Sequence, residues 1–410
     1  MDLLNKKTLN DVNVENKTVI VRFDFNCPVK DGKVTSDKRI RAALPTIKYL
    51  LDKNCKIIAL SHLSRIKTLE DIKSGKKSLE PVAKRLQELL PETTIKFEPS
   101  TEFSTIEDDV KKLQHKQILV LQNTRYYDVD SNGEVVKLES KNKPELAKFW
   151  ANLADVFVND AFGTAHRAHA SNAGIATNIK DSCVGFLVET ELKSILKAID
   201  HPKRPYVAIL GGAKVSDKLK VINNLLPTAD KVIICGGMAY TFHKALGEDV
   251  GRSLLEEDMI DTAKEILAKG KDKIVLTKDC VCNEKFEDTP GQIKAFGEKI
   301  GDLEGLDIGP KSIAEFKKVL DDAKTVVWNG PCGVFEFKNY ANGTKAVIEK
   351  LIEITKKGAY TLIGGGDSAA SITALGFNED DFSFVSTGGG ASLALIEGSP
   401  LVGLEPIKEK

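Results

Sequence analysis

No run of apolar residues in this 410-residue sequence approaches the roughly 20 needed to cross a bilayer, so no membrane-spanning helix is expected. There is no excess of charge either: 59 Lys and Arg balance 59 Asp and Glu. With no net field to draw the chain to a polyanion, contact with nucleic acid or an anionic membrane would need a local basic patch. Cysteines are few and scattered, seven in all, with Cys280 and Cys282 the closest two and no second pair at zinc-finger spacing. Reduced, buried or half-buried thiols are therefore expected rather than a disulfide framework or a zinc module. Met1 to Thr8 is polar and basic with no apolar stretch behind it, unlike a secretory signal, and cytoplasm is the expected compartment. Two nucleotide fingerprints are missing as well. No segment has the Walker A spacing, and none has the dinucleotide glycines at first, third and sixth positions with an acid for the ribose.

What is present is a long alternation. Apolar, β-branched runs recur at Val19–Val21, Ile57–Leu60, Ile118–Leu121, Val156–Val158, Tyr206–Leu210, Val232–Ile234, Ile274–Leu276, Thr325–Trp328, Tyr360–Ile363 and Phe382–Val385. They lack in/out alternation, as strands buried on both faces do. Between them lie helical patterns such as Leu79 to Leu90, with Leu79, Val82, Ala83, Leu86, Leu89 and Leu90 on one face. A chain of this length divides into domains, and this order predicts two Rossmann-like α/β lobes with mainly parallel sheets flanked by helices. The boundary is expected near 180–205, where Glu189 to Ile199 has helical spacing and His201-Pro202-Lys203-Arg204-Pro205 stops it. Such a helix would join the lobes as a stiff connector and hinge.

The strand ends differ between the halves, and ligands of open α/β sheets gather at those ends. In the second half they run into glycine: Gly211-Gly212-Ala213-Lys214, Gly236-Gly237, Gly364-Gly365-Gly366-Asp367 and Gly388-Gly389-Gly390. A single glycine turn is often only a connector. Four after buried strands suggest close approach of backbone N–H groups to an anion, commonly phosphate. Lys214 and Lys218, four apart, read either as a solvated pair or as two cations aimed at phosphates. Asp367 suits a helix N-cap. It also suits Mg²⁺ held by one carboxylate and phosphate oxygens, and the roles are compatible.

In the first half the strand ends run into Arg22, His62, Arg65, Arg125, His166 and Arg167, with Arg39 in a neighbouring loop. Each arginine alone is most simply a surface ion pair. Several together would make a site for a small, highly charged anion. His62 reads as a proton shuttle or as a hydrogen-bond donor to that anion. The donor role suits an acceptor carboxylate that is already ionised at neutral pH.

At these residues the sequence resembles the phosphoglycerate kinase family. The likeness is carried by Arg22-Phe23-Asp24-Phe25-Asn26-Cys27-Pro28, Asn159 through Ser171, Gly211 through Lys218, Trp328 through Glu336, Gly364 through Ala370 and Ser386 through Ser392. The resemblance implies reversible, Mg²⁺-dependent phosphoryl transfer between 1,3-bisphosphoglycerate with ADP and 3-phosphoglycerate with ATP. It implies a 3-phosphoglycerate lobe over 1–184, an interdomain helix and hinge over 185–203, a nucleotide lobe over 204–391, and a segment over 392–410 returning to the first lobe. Asp24, Asn26, Arg39, His62, Arg65, Arg125 and Arg167 would hold the glycerate. Gly212, Ala213, Gly237, Leu254, Leu306, Asn329, Pro331, Val334 and Glu336 would frame the nucleoside, with Glu336 on the ribose. Lys214, Lys218, Gly366, Asp367 and Ser368 would hold phosphates and, through Asp367, the metal. Arg39, Lys214, Gly366 and Gly389 would form the catalytic set. A monomer acting on small molecules, without nucleic-acid or membrane partners, is also implied.

Two departures stand out. Ser64 and Ile66 replace the family's usual glycine and proline, and Gln122, Thr124 and Tyr126 replace Glu, Leu and Phe, which leaves loop geometry open. The rival readings are a nicotinamide-dependent dehydrogenase, which lacks its fingerprint here, and an inactive binding protein on the same fold, against which the intact Lys214, Lys218, Asp367, Arg39 and Arg167 count.

Overall fold

A computed structural model describes residues 2–410. Tertiary contacts divide the chain into two units: one runs up to Lys193 and takes in Pro400–Lys410, and the other is Ser194–Ser399. The division at 193/194 falls inside the helix Phe186–Ile199, within the span expected as a connector. The segment that joins the first unit begins at Pro400, eight residues later than the expected 392.

The first unit is built on a six-stranded sheet in the order Ile95–Glu98, Ile118–Leu121, Lys56–Leu60, Thr18–Phe23, Val156–Asp160, Asp181–Val184. Every pairing in it is parallel. Val19, Ile20, Val21, Ile57 and Ile58 are fully buried, which explains why these runs show no alternation. Each such aliphatic side chain contributes about 1.5–3 kcal/mol of burial. The expected helix at 79–90 is Glu80–Leu89, with Val82, Ala83 and Leu86 on its buried face. Because all strands point one way, the loops after Phe23, Leu60, Leu121 and Asp160 emerge along one edge. The C-terminal segment is laced to this unit: Lys7 N–H donates to Lys408 O (2.8 Å) and Gly403 N–H to Ala165 O (2.8 Å).

The second unit has its own six-stranded sheet, ordered Ile274–Leu276, Lys231–Ile234, Tyr206–Leu210, Thr325–Asn329, Tyr360–Ile363, Phe384–Val385. It too is parallel throughout. The last strand is only two residues, shorter than the expected 382–385. A three-stranded antiparallel sheet, Gln292–Ala295, Asp279–Asn283, Glu304–Ile308, was not foreseen, because two of its strands mix apolar with charged or polar residues and the third has only the short run Cys280-Val281-Cys282. All seven cysteines are free thiols and all are buried. Among the described residues no helix is long and apolar enough to cross a membrane.

One buried acid pins the start of the helix Phe186–Ile199. Asp160 Oδ1 accepts from Leu187 N–H (3.0 Å), and a Cβ at Gly185 would stand 2.2 Å from that oxygen, so the close approach requires glycine. Burial pushes the Asp160 carboxyl up to about 7, against its backbone hydrogen bonds. A carboxyl raised on folding contributes stability that is full below the unfolded-state value near 3.9 and is lost as pH rises through about 7. Asp160→Asn keeps an oxygen acceptor but does not ionise. Its stability relative to the parent should rise by on the order of 2–4 kcal/mol between pH 4 and 8, measured by denaturant titration. A pH-independent difference would show that Asp160 is ionised throughout.

Candidate functional site

At the strand edge of the first unit, Asp24 accepts a short ionic hydrogen bond from Arg39 Nη1, with Asp24 11% and Arg39 39% exposed. A Cβ at Gly163 would lie 2.6 Å from Asp24 Oδ2 and 3.8 Å from Arg39 Nη1, so the 161–167 turn closes over this pair. Asn26 Oδ1 accepts from Ser64 N–H (2.8 Å), and Arg125 Nη1 donates to Ser64 O (2.6 Å). Arg65 and Arg167 are exposed. Burial, with Arg167 and Arg65 nearby, holds the Arg125 guanidinium below its ordinary value, so three of the predicted arginines share one neighbourhood. Asp24, Asn26, His62, Arg65, Arg125 and Arg167 lie on or beside this edge, and Arg39 reaches it from the first turn of the helix Lys38–Asp52 rather than from the expected loop.

Arg22 corrects the sequence reading. It does not face the edge as an anion-binding cation but is fully buried. Its Nε donates to Ser171 Oγ (2.9 Å), its Nη1 to Phe23 O (2.6 Å), and its Nη2 to His62 Nδ1 (3.0 Å). Ser171 Oγ in turn donates to the buried Glu139 Oε1 (2.8 Å). The reason lies in the strand: Arg22 is an interior position of Thr18–Phe23, so its side chain turns into the layer beside the sheet instead of off its end. A guanidinium only donates, so His62 Nδ1 is an acceptor and the proton sits on Nε2. Burial first, then the charges of Arg22 and Arg125, hold His62 well below the usual imidazole range. His62 is thus neutral with its proton on Nε2, an arrangement that suits a hydrogen-bond donor better than a proton shuttle.

The open question of loop geometry is answered by Ser64, which takes φ +60°, the left-handed conformation that glycine adopts without cost. The contacts from Asn26 and Arg125 hold it there. Ile66 is buried against Tyr126 and Val129, with Leu69 and Ile72 beside them, so two departures from the family pattern pack on each other. Asn123 fastens the same loop, accepting from Leu63 N–H (3.1 Å) and donating to Leu63 O (2.7 Å). Ser64→Val should lose about 1–2 kcal/mol of stability by denaturant titration, since a β-branched residue resists this conformation, whereas Ser64→Gly should not.

The second unit carries a cavity of about 410 Å³ at the glycine turns. Of the predicted residues, Gly212, Ala213, Gly237, Leu254, Leu306, Pro331, Val334, Glu336 and Asp367 line it. So do Tyr240, Phe286 and Glu304, which the sequence reading missed. Phe286 is 61% exposed at the cavity, and its only sequence signal is an isolated aromatic in the charged stretch Glu284-Lys285-Phe286-Glu287-Asp288. Tyr240 lies on the helix Met238–Ala245 and reads as a core residue from its spacing.

Lys214, Lys218, Asn329, Gly366, Ser368 and Gly389 stand outside the lining. Lys218 donates a short hydrogen bond to Asn329 Oδ1, and Asn329 Nδ2 donates to Gly364 O (2.8 Å), tying three strand-end segments together. Burial lowers the Lys218 ammonium, with Asp367 opposing. Lys214 is exposed at the N-cap of Val215–Leu225. Gly365, at φ +103°, precedes the helix Gly366–Ala374, whose first turn carries the exposed Asp367. Ser368 is buried, and its hydroxyl accepts from Gly330 N–H (2.7 Å), so it braces the turn. Gly389 takes φ +52° ahead of Gly390–Ile396.

Among the described residues no three His, Cys, Asp or Glu side chains gather as a metal cage. Asp367, exposed at the cavity wall, fits the other way of holding Mg²⁺, one carboxylate completed by water and substrate phosphates.

The phosphoglycerate kinase family model matches residues 9–399. A phosphoglycerate kinase of Spiroplasma citri is 53% identical over 418 residues, covering 100% of both chains. One of Enterococcus faecalis is 54% identical over 406 residues, covering 99% of this chain and 100% of the other. The structure of phosphoglycerate kinase from Coxiella burnetii superposes with a TM-score of 0.86 at 34% identity, covering 98% of each chain. With two parallel-sheet units, a cationic strand edge on one and a glycine-walled cavity on the other, the chain belongs to the phosphoglycerate kinase family of phosphotransferases.

Proposed function

We propose that the chain catalyses the reversible transfer of a phosphoryl group between 1,3-bisphosphoglycerate with ADP and 3-phosphoglycerate with ATP, in glycolysis. The observation that carries the reading is the division of chemistry: the arginines and His62 collect on one unit, and the glycine-walled cavity with Asp367 lies wholly on the other. Asp24 and Asn26 bind the glyceryl part, and Arg39, His62, Arg65, Arg125 and Arg167 surround its carboxylate and phosphate. Donation from His62 Nε2–H suits an anion, because an ionised acceptor carboxylate has no proton to surrender. Gly212, Ala213, Gly237, Leu254, Leu306, Pro331 and Val334 enclose the adenine, with Glu336 at the ribose. Lys214 and Lys218 approach the phosphates with the turns at Gly366 and Gly389, while Asn329 and Ser368 hold those turns in place.

A bound Mg²⁺ neutralises phosphate charge, and Asp367 is the residue that would hold it. Phosphoryl transfer spreads negative charge over three equatorial oxygens and asks the protein mainly for positioning and electrostatics. Arg39 and Lys214 supply that charge, and the helix Gly366–Ala374 adds its positive end. Substrates held on separate units must come together in line, so hinge closure through the 185–203 region belongs to the proposal; it also excludes water. A cytoplasmic monomer acting only on small molecules completes the reading. The test is a coupled assay with 3-phosphoglycerate and ATP, with and without Mg²⁺. Turnover that needs all three supports the proposal, and its absence in folded protein overturns it.

A further inference from the structure

Cys235 and Cys332 meet behind the nucleotide turns with their sulfurs 3.4 Å apart. They are 0% and 1% exposed. Cys235 follows the strand Lys231–Ile234 and leads into Gly236-Gly237, and Cys332 follows Pro331. We propose that these two thiols form an oxidation site: a hydroperoxide converts them to a disulfide, and that disulfide and a bound nucleotide exclude one another. The inference rests on the nucleotide reading of the cavity and goes beyond it.

Access comes first. Cys332 stands in the cavity wall, so the cavity is the side from which hydrogen peroxide would come, and with only 1% of Cys332 exposed it would reach the sulfurs when that wall opens. A nucleotide filling the cavity removes the route.

Transmission comes next. A disulfide brings its sulfurs to about 2.05 Å, so the pair must close by more than an ångström. The backbone around them has no slack. A Cβ at Gly236 would fall 2.6 Å from Gly212 N and 2.9 Å from Pro331 O, and one at Gly211 would fall 2.2 Å from Pro331 O. The turns are also hydrogen-bonded to one another, Gly212 N–H to Pro331 O (3.2 Å) and Cys235 N–H to Leu210 O (2.9 Å). Gly212, Gly236 and Pro331 all border the cavity. Drawing Cys235 toward Cys332 therefore moves the walls that would hold the adenine, because close-packed backbone passes a displacement on.

The chemistry balances with one peroxide. One sulfur, as thiolate, attacks a peroxide oxygen; the S–O bond forms, the O–O bond breaks, and hydroxide leaves and takes up a proton. The second sulfur attacks the resulting sulfenic acid; the S–S bond forms, the S–O bond breaks, and water leaves. Two thiols and one hydrogen peroxide give one disulfide and two waters. The hydrogen bond with Cys235 and then burial hold the Cys332 thiol well above its ordinary range, so the conversion is slow. The nearest competitor is Cys280 with Cys282, 3.1 Å apart on one strand.

The experiment uses the full reduced chain. ADP affinity is measured by calorimetry before and after hydrogen peroxide treatment, and unreduced tryptic digests are mapped by mass spectrometry. The expected product links peptide 232–244 to peptide 325–338 and is two hydrogens lighter than their sum. Saturating ADP should slow its appearance, and the oxidised chain should bind ADP about tenfold or more weakly until a dithiol restores it. Cys235→Ala should keep its ADP affinity through the same treatment. No linked peptide, oxidation confined to peptide 279–285, or a linked product with unchanged ADP affinity each overturns the proposal. Failure of the untreated chain to bind ADP overturns the nucleotide reading itself, so the two failures are distinguishable.

Discussion

Arg39→Ala should lower kcat by about 10²–10³, the loss that follows removal of one preorganised charge-stabilising donor. Asp24 already holds the Arg39 guanidinium, so its orientation is set before substrate arrives. At 39% exposure Arg39 is also the partner in this pair that keeps donors open toward solvent. A group acting mainly on charge that appears during transfer should lower kcat and kcat/KM together, with only a smaller rise in the KM for 3-phosphoglycerate from its lost contact to the bound substrate. Arg39→Lys keeps the charge but loses the planar fork, so it should recover only part of the rate. If the alanine variant instead raised KM at constant kcat, Arg39 would be a ground-state contact alone.

Replacing Arg22 with methionine should cost about 3–5 kcal/mol of stability, the usual loss when one partner of a buried ionic network is removed. The guanidinium has no exposed surface and leaves Ser171, Phe23 O and His62 without their donor. Burial raises the Glu139 carboxyl while the charge of Arg22 pulls it back down, so loss of Arg22 leaves that acid without its counter-charge. Arg22→Met with Glu139→Gln should therefore recover part of the loss in a denaturant titration. Equal midpoints for the single and double variants would show that the damage is packing alone. The single variant also frees His62 Nδ1, so activity should fall beyond what the unfolded fraction explains.

The alternation of apolar runs and helical spacing made the two parallel sheets legible, because strands buried on both faces carry an unbroken apolar pattern. Ile95–Glu98, Asp181–Val184 and the three antiparallel strands escaped that reading: they are short, partly exposed and carry charge, as in Lys96 and Lys294. The candidate residues at strand ends were read from chemistry and position together, and the structure gathers one set at an edge and most of the other around a cavity. Phe286 was not so read, since nothing local says that an aromatic in a charged loop faces a cavity. Arg22 was misread because sequence gives its place at a strand end but not the side of the sheet its side chain takes. The pairing of Ile66 with Tyr126 was invisible for a related reason, since the contact joins two loops about 60 residues apart.

The crossing of Pro400–Lys410 into the first unit has a consequence for biosynthesis. During translation the second unit, one unbroken stretch from Ser194 to Ser399, has all its parts as soon as it clears the ribosome. The first unit begins earlier yet also takes in residues 400–410, which supply Lys408 O to Lys7 and lay Gly403 against the turn bearing Arg167. The half of the protein made first thus draws part of its structure from residues made after the whole of the second unit.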